Sequence, residues 1–142
     1  MVKKIACFIA ILVLSFLAAS APAAVVGEGS PFTAYGDGPV EVRLYSNYFC
    51  PPCRSLEPQA EPLLLELVKR NAIRLVMVDL PTNEKSLLYA HFYFYALKAE
   101  NTLERAMAVR ALLFEAAAQR DILTEDALAA IFEEHAIAYE TF

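Results

Sequence analysis

Val40-Glu41-Val42-Arg43-Leu44-Tyr45-Ser46-Asn47-Tyr48-Phe49-Cys50-Pro51-Pro52-Cys53-Arg54 is the stretch whose reading decides the fold. Its first half alternates along Val40 to Tyr45 with β-branched and aromatic residues, the pattern of a half-buried strand. Its second half opens a segment, Arg54 to Arg70, in which Leu56, Leu63, Leu64, Leu67 and Val68 recur at helical spacing. Between them stand Cys50 and Cys53, two residues apart. Thiols so placed can close a disulfide with little movement of the backbone. At the first turn of a helix the outer one also meets free backbone N–H groups and the positive end of the helix dipole, which favour its thiolate. Strand, CxxC and helix in that order read as a redox centre. Cys50 is expected to be the exposed thiol of low pKa and Cys53 the sheltered one. Pro51 and Pro52 each remove an N–H that could face the Cys50 sulfur, leaving Cys53 and Arg54 as backbone donors.

Two other readings of the pair stay open on the residues alone. A CxxC can be half of a zinc site, which needs two further ligands. The remaining candidates are Cys7, His91 and His135, and the two His are 44 residues apart rather than three to five. A structural bridge is the other reading, although closing so short a loop removes little chain entropy and makes a poor staple.

Residues 1–23 have the form of a secretory signal peptide. Lys3 and Lys4 supply the charge, Ile5 to Leu17 the apolar run, and Ala21-Pro22-Ala23 the small residues of a cleavage site before Ala24. Left uncut, the same run would serve as a membrane anchor. Cys7 lies at the start of the apolar run and not after it, so it is not a lipoprotein cysteine. The expected location is a bacterial periplasm, or secretion, where disulfides persist. Removal of the leader keeps Cys50 and Cys53 and no odd thiol. It leaves one domain, residues 24–142, with ten basic against 17 acidic residues and a net charge of −7. No basic stripe appears, which argues against a nucleic-acid partner.

Beyond a Gly- and Pro-rich entry over 24–39, with a short edge strand near Phe32 to Tyr35, the spacing predicts strands at Val40–Ser46 and Ile73–Asp79. The helix between them makes these parallel, with a right-handed crossover. Pro58 and Pro62 lie inside that helix and should bend it near Pro58. Three helices follow, over about 84–99, 103–119 and 124–135, with Thr102 and Thr124 as N-caps. The run Leu87 to Leu97 is aromatic nearly all round, which predicts a helix buried on more than one side, with His91 as a core or boundary residue.

With these elements in place, the chain resembles the thioredoxin superfamily, and more closely its exported DsbA-type branch. The resemblance rests on Phe49-Cys50-Pro51-Pro52-Cys53-Arg54, the strand before them, and Pro58, eight residues after the first Cys; it extends over roughly 32–142. It implies an α/β fold, a thioredoxin-like βαβ core with a helical insertion, here the helical block 84–136. It also implies a thiol–disulfide oxidoreductase with Cys50 as attacking thiol and Cys53 as resolving thiol. The partners implied are exported proteins with cysteines and a membrane redox protein that resets the pair, and no cofactor or metal is implied. Two departures stand out. The family's buried carboxylate, six residues before the first Cys, is Leu44 here, so water or an acid such as Glu41 must substitute. No proline follows Pro81, and nothing after residue 84 reads as the C-terminal antiparallel hairpin with its cis-proline. The expectation is therefore a chain truncated before that hairpin. A non-catalytic metal carrier using Cys50, Cys53 and His91, and an inactive remnant of the same fold, are the rival functions.

Overall fold

The computed structural model describes residues 33–119 and 124–142; the leader, its cleavage site and Cys7 lie outside the described residues. The elements run β1 (Ala34–Tyr35), β2 (Val40–Ser46), α1 (Pro51–Lys69), β3 (Ile73–Asp79), α2 (Glu84–Ala99), α3 (Leu103–Gln119) and α4 (Glu125–Glu134). This is the mixed α/β, thioredoxin-like arrangement that the sequence implies. Among the described residues, no helix is long and apolar enough to cross a membrane.

The described strands form one sheet in the order β1-β3-β2. β3 takes the centre because Ile73, Leu75, Val76 and Met77 are all buried, a run apolar on both faces. β2 pairs with it in parallel from Val40↔Ile73 to Ser46↔Asp79, and the short β1 pairs antiparallel through Ala34↔Val76. The outer edge of β2 pairs with no described strand. Between β1 and β2 the backbone passes so near β3 that a Cβ on Gly38 would sit 2.2 Å from the Ile73 nitrogen. Only glycine fits there.

The core lies under the helical block. Leu75, Tyr89, Phe92, Tyr93, Ala96, Leu97, Val109, Leu113, Leu128 and Phe132 are essentially inaccessible to solvent. Each large apolar side chain taken fully out of water contributes about 1.5–3 kcal/mol before entropy is counted. The aromatic run of α2 is buried as its composition predicts, with one correction. His91 is exposed, lying beside Tyr95 with ring centroids 6.1 Å apart. Glu84, Leu87, His91 and Lys98 lie on the face of this helix that points outward. Thr102 and Thr124 do cap α3 and α4, accepting from the N–H groups of Arg105 and Ala127. Helix α2 has a cap that composition did not suggest: Asn83 accepts from the Ser86 N–H, and the Ser86 hydroxyl accepts from the Asn83 N–H.

α1 is built differently. Cys50 caps it, Pro51 and Pro52 occupy its first positions, Arg70 is its C-cap, and just beyond it Asn71 takes φ 52°, a left-handed conformation that Asn tolerates. Pro58 and Pro62 lie in its interior, each withholding an N–H from the helical ladder. None of its 19 residues is fully buried. Leu64, Leu65, Leu67 and Val68 lean on the core, while Leu56 and Leu63 face solvent. After α4, residues 136–142 fold back over α2, where the Glu140 N–H donates to the Tyr95 carbonyl and the Lys98 ammonium to that of Thr141.

A candidate dithiol site at the head of α1

Asn47 shapes the passage from β2 to α1. Its side-chain amide donates to the Leu80 carbonyl at 2.7 Å and to the Thr82 hydroxyl at 3.2 Å. Its side-chain oxygen accepts from the Phe49 N–H, and its carbonyl from the Cys50 N–H. The turn therefore has a fixed exit direction, and Cys50 enters α1 as its N-cap. Both thiols are free and half-buried. The Cys53 N–H donates to the Cys50 sulfur at 3.4 Å. The Arg54 N–H does not share that task, because it donates to the Cys50 carbonyl. With Pro51 and Pro52 in between, Cys50 has one backbone donor rather than two.

The electrostatics of the pair depart from expectation. Cys50 is held above the ordinary thiol value, first because its S–H is engaged with Cys53, against the lowering effect of the Cys53 N–H. Cys53 falls below that value. Burial pushes it up, but the bond from Cys50, the Asn47 backbone and the Ser46 hydroxyl together outweigh burial. Ser46, the last residue of β2, is itself buried. Helix-start geometry alone favours Cys50; the order is reversed first of all by the hydrogen bond the two thiols share, which raises Cys50 and lowers Cys53. Thiols sharing a hydrogen bond lose their protons in two steps that belong to the pair. The first proton leaves easily and the second is held.

Behind the pair lies a buried ionic cluster that sequence reasoning missed. Arg110 of α3 is 2% exposed, yet it carries a guanidinium. Its Nη1 donates to Asp79 at the end of β3, and its Nε and Nη2 lie 2.8 and 2.7 Å from one oxygen of Glu57 on α1. The Tyr48 hydroxyl donates to the other Asp79 oxygen at 3.0 Å, and the Tyr48, Tyr93 and Phe114 rings surround the guanidinium. Burial raises Glu57 above the usual carboxylate range, even against the attraction of Arg110. A signal was present in the sequence: Leu103, Ala106, Met107, Arg110, Leu113 and Phe114 form one helical stripe, with a lone cation among apolar residues.

Glu41 does not substitute for the acid absent at Leu44. It pairs with Arg43 at 2.7 Å and Arg74 at 3.4 Å near the start of β2. Ser46 is five positions further along the strand, about 16 Å of extended chain. The acid near Cys53 is Glu57. His91 and His135 are both exposed and neither joins the pair. Among the described residues no group of three or more His, Cys, Asp or Glu could hold a metal ion. Beside the thiols a groove of about 400 Å³ opens, bounded by Tyr45, Phe49, Leu80 and Thr82.

Comparison with known proteins adds to this geometry. A family model described as thioredoxin matches residues 32–142. Among solved structures, the chain is similar to the MdbA protein of Corynebacterium diphtheriae, a thiol-disulfide oxidoreductase, at TM-score 0.60 and 13% identity, covering 69% of this chain and 53% of that one. It is similar to alpha-DsbA1 of Wolbachia pipientis at TM-score 0.59 and 14% identity, covering 74% of this chain and 54% of that one. A conserved protein of unknown function from Enterococcus faecalis gives TM-score 0.58 at 19% identity, covering 77% of this chain and 63% of that one. The chain thus spans a little over half the length of the first two relatives. No curated protein matches it.

Proposed function

The chain belongs to the thioredoxin family, and from that premise we propose that it is an exported thiol–disulfide oxidoreductase acting through Cys50 and Cys53. The observation that carries the reading is the arrangement at the head of α1. Two free thiols face each other within one turn, one sulfur accepts a backbone N–H, and the other sits beside the Ser46 hydroxyl. In one direction Cys50, as thiolate, attacks a substrate disulfide and one substrate sulfur leaves as thiolate. Cys53 then attacks the Cys50 sulfur of the mixed disulfide, the second substrate sulfur leaves, and the pair becomes a disulfide. The substrate gains two electrons and the pair loses two. In the reverse direction a substrate thiolate attacks the Cys50–Cys53 disulfide.

Substrates in this reading are exported proteins with cysteines, which reach Cys50 along the groove beside Phe49 and Leu80. A membrane redox protein returns the pair to its working state, and the periplasm is the compartment, entered through cleavage of the 1–23 leader. No bound cofactor is needed, since sulfur carries the electrons.

The test is thiol labelling before and after reductant, read by mass spectrometry across a series of glutathione redox buffers. The expected result is a two-electron transition confined to Cys50 and Cys53, with insulin reduction or thiol oxidation lost in Cys50→Ser. A pair that never changes state across that range, or a Cys50→Ser chain as active as the parent, would overturn the proposal.

A further inference from the structure

On that redox reading, we propose that the cleft between α1 and α3 receives a basic side chain of the substrate protein, about three to five residues from the cysteine that Cys50 attacks. The cleft encloses about 220 Å³. Its walls are largely apolar: Met107 and Phe114 are buried there, and Pro58 and Ala111 add to the hydrocarbon surface. Glu57, Glu61 and Glu115 stand around it. An arginine or lysine has the matching form, an aliphatic stem that lies along hydrocarbon and a charged head that reaches the carboxylates.

Charge complementarity selects a cation. In and behind the cleft four carboxylates, Asp79, Glu57, Glu61 and Glu115, stand against the guanidinium groups of Arg110 and Arg54. Arg110 is already held by Asp79 and Glu57. Arg54 is exposed at the end nearer the thiols, so it turns a cationic head toward Glu57, Glu61 and Glu115. One oxygen of Glu57 takes the Arg110 contacts, whereas the other is buried with no hydrogen-bond partner among the described residues. Such an oxygen carries a desolvation cost that an entering N–H donor relieves. The same wall offers backbone acceptors as well. Pro58 has no N–H to give the Arg54 carbonyl, and Pro62 none to give that of Pro58.

The cleft also lies in line with the reactive pair. Cys50, Arg54, Glu57 and Glu61 follow one another at spacings of three and four, which is one face of α1. Glu57 and Glu61 stand seven and eleven positions beyond Cys50, about 10 and 16 Å along the helix axis. An extended substrate covers that distance in about three to five residues. A basic residue seated in the cleft would hold the substrate sulfur beside Cys50, so that attack proceeds within a complex rather than on free encounter.

Acetylated and amidated peptides with a single cysteine, carried as its disulfide with thionitrobenzoate, test this on the reduced full chain. The Cys50 thiolate attacks the peptide sulfur, the bond to thionitrobenzoate breaks, and its electron pair leaves on that coloured thiolate, whose absorbance gives the rate. With Arg about four residues from the cysteine, the second-order rate should exceed that of the citrulline peptide, which keeps the shape without the charge, by about tenfold. A ratio below about threefold overturns the inference. So does an equal preference when Arg is next to the cysteine, since general attraction to an acidic chain is indifferent to spacing. Glu61→Gln together with Glu115→Gln changes one half-buried and one exposed position and should cut the Arg-to-citrulline ratio by about half or more; an unchanged ratio overturns the inference. Mass spectrometry of the products keeps the two readings apart. A chain that ends without a Cys50–Cys53 disulfide for every peptide refutes the redox reading itself. One that forms it equally fast from the Arg and citrulline peptides refutes only the cleft as substrate anchor.

Discussion

Replacing Arg110 by Met keeps much of the side-chain volume and removes the charge, and its consequences follow from the contacts of the guanidinium. Asp79 and Glu57 have side chains 4% and 11% exposed, so without Arg110 two carboxylates lie buried with no cation. Removing one partner from a buried ion pair typically costs about 3–5 kcal/mol. Against a usual total stability of about 5–15 kcal/mol, that is enough to bring the chain close to its unfolding threshold. The same reasoning gives a rescue. Arg110→Met combined with Asp79→Asn and Glu57→Gln leaves no uncompensated charge, and should recover most of the loss, because neutral replacement of a buried ionic cluster is often close to neutral in stability. The pH dependence has a definite sign. In Arg110→Met the Glu57 carboxyl is held above its unfolded value by burial, now without the opposing guanidinium, so it binds its proton more tightly in the folded state. The deficit is therefore present at neutral pH and shrinks as pH falls through that raised value. Urea unfolding followed by far-UV circular dichroism at pH 7 and pH 5 measures all of this. A single-variant loss below about 1 kcal/mol, or a deficit that grows on acidification, would refute the reasoning.

Ser46→Ala removes a hydroxyl that lowers Cys53, so the first proton of the pair should be held more tightly. Iodoacetamide labelling of the reduced chain at neutral pH should then slow several-fold. Pro52→His restores a backbone N–H near the Cys50 sulfur, which now has only that of Cys53; the pH profile of Cys50 alkylation should move to lower pH, and an unchanged or higher midpoint counts against this. Leu113→Ala opens a cavity at a position with no solvent exposure and should cost about 2–5 kcal/mol in the same urea assay.

The elements set by local pattern were legible in the sequence. Both long strands run over the residues whose alternation and β-branching mark them, Val40–Ser46 and Ile73–Asp79, and the crossover fixes them as parallel. Thr102 and Thr124 were recognisable as caps because each stands before a helical stripe. The box at Asn83 was missed because the residue at its third helical position is Ser86, not the Glu or Gln of the usual signature. What the sequence could not place is chemistry assembled across the fold. Arg110 meets Glu57 over 53 residues and Asp79 over 31, and no local pattern connects them. For the same reason the low thiol value went to Cys50. The helix start is a local feature, but which way the hydrogen bond shared by the two thiols runs depends on how the turn from β2 into α1 orients them. Glu41 looked available because it is an acid on the right strand, and its pairing with Arg74 depends on β3 lying alongside.

α1 holds no fully buried residue, while α2, α3 and β3 hold most of the core. The backbone amides of the chain should accordingly fall into two classes of protection against hydrogen exchange. Those of β3, α2 and α3 exchange only when the whole chain unfolds, whereas α1 can open from the rest by giving up the Arg110–Glu57 contact and a row of half-buried leucines. The thiols ride on the part of the molecule that opens first. On the proposed chemistry, a substrate held to Cys50 by a disulfide would be tethered to a segment that can swing with it, and the block behind would need no rearrangement to accommodate its shape.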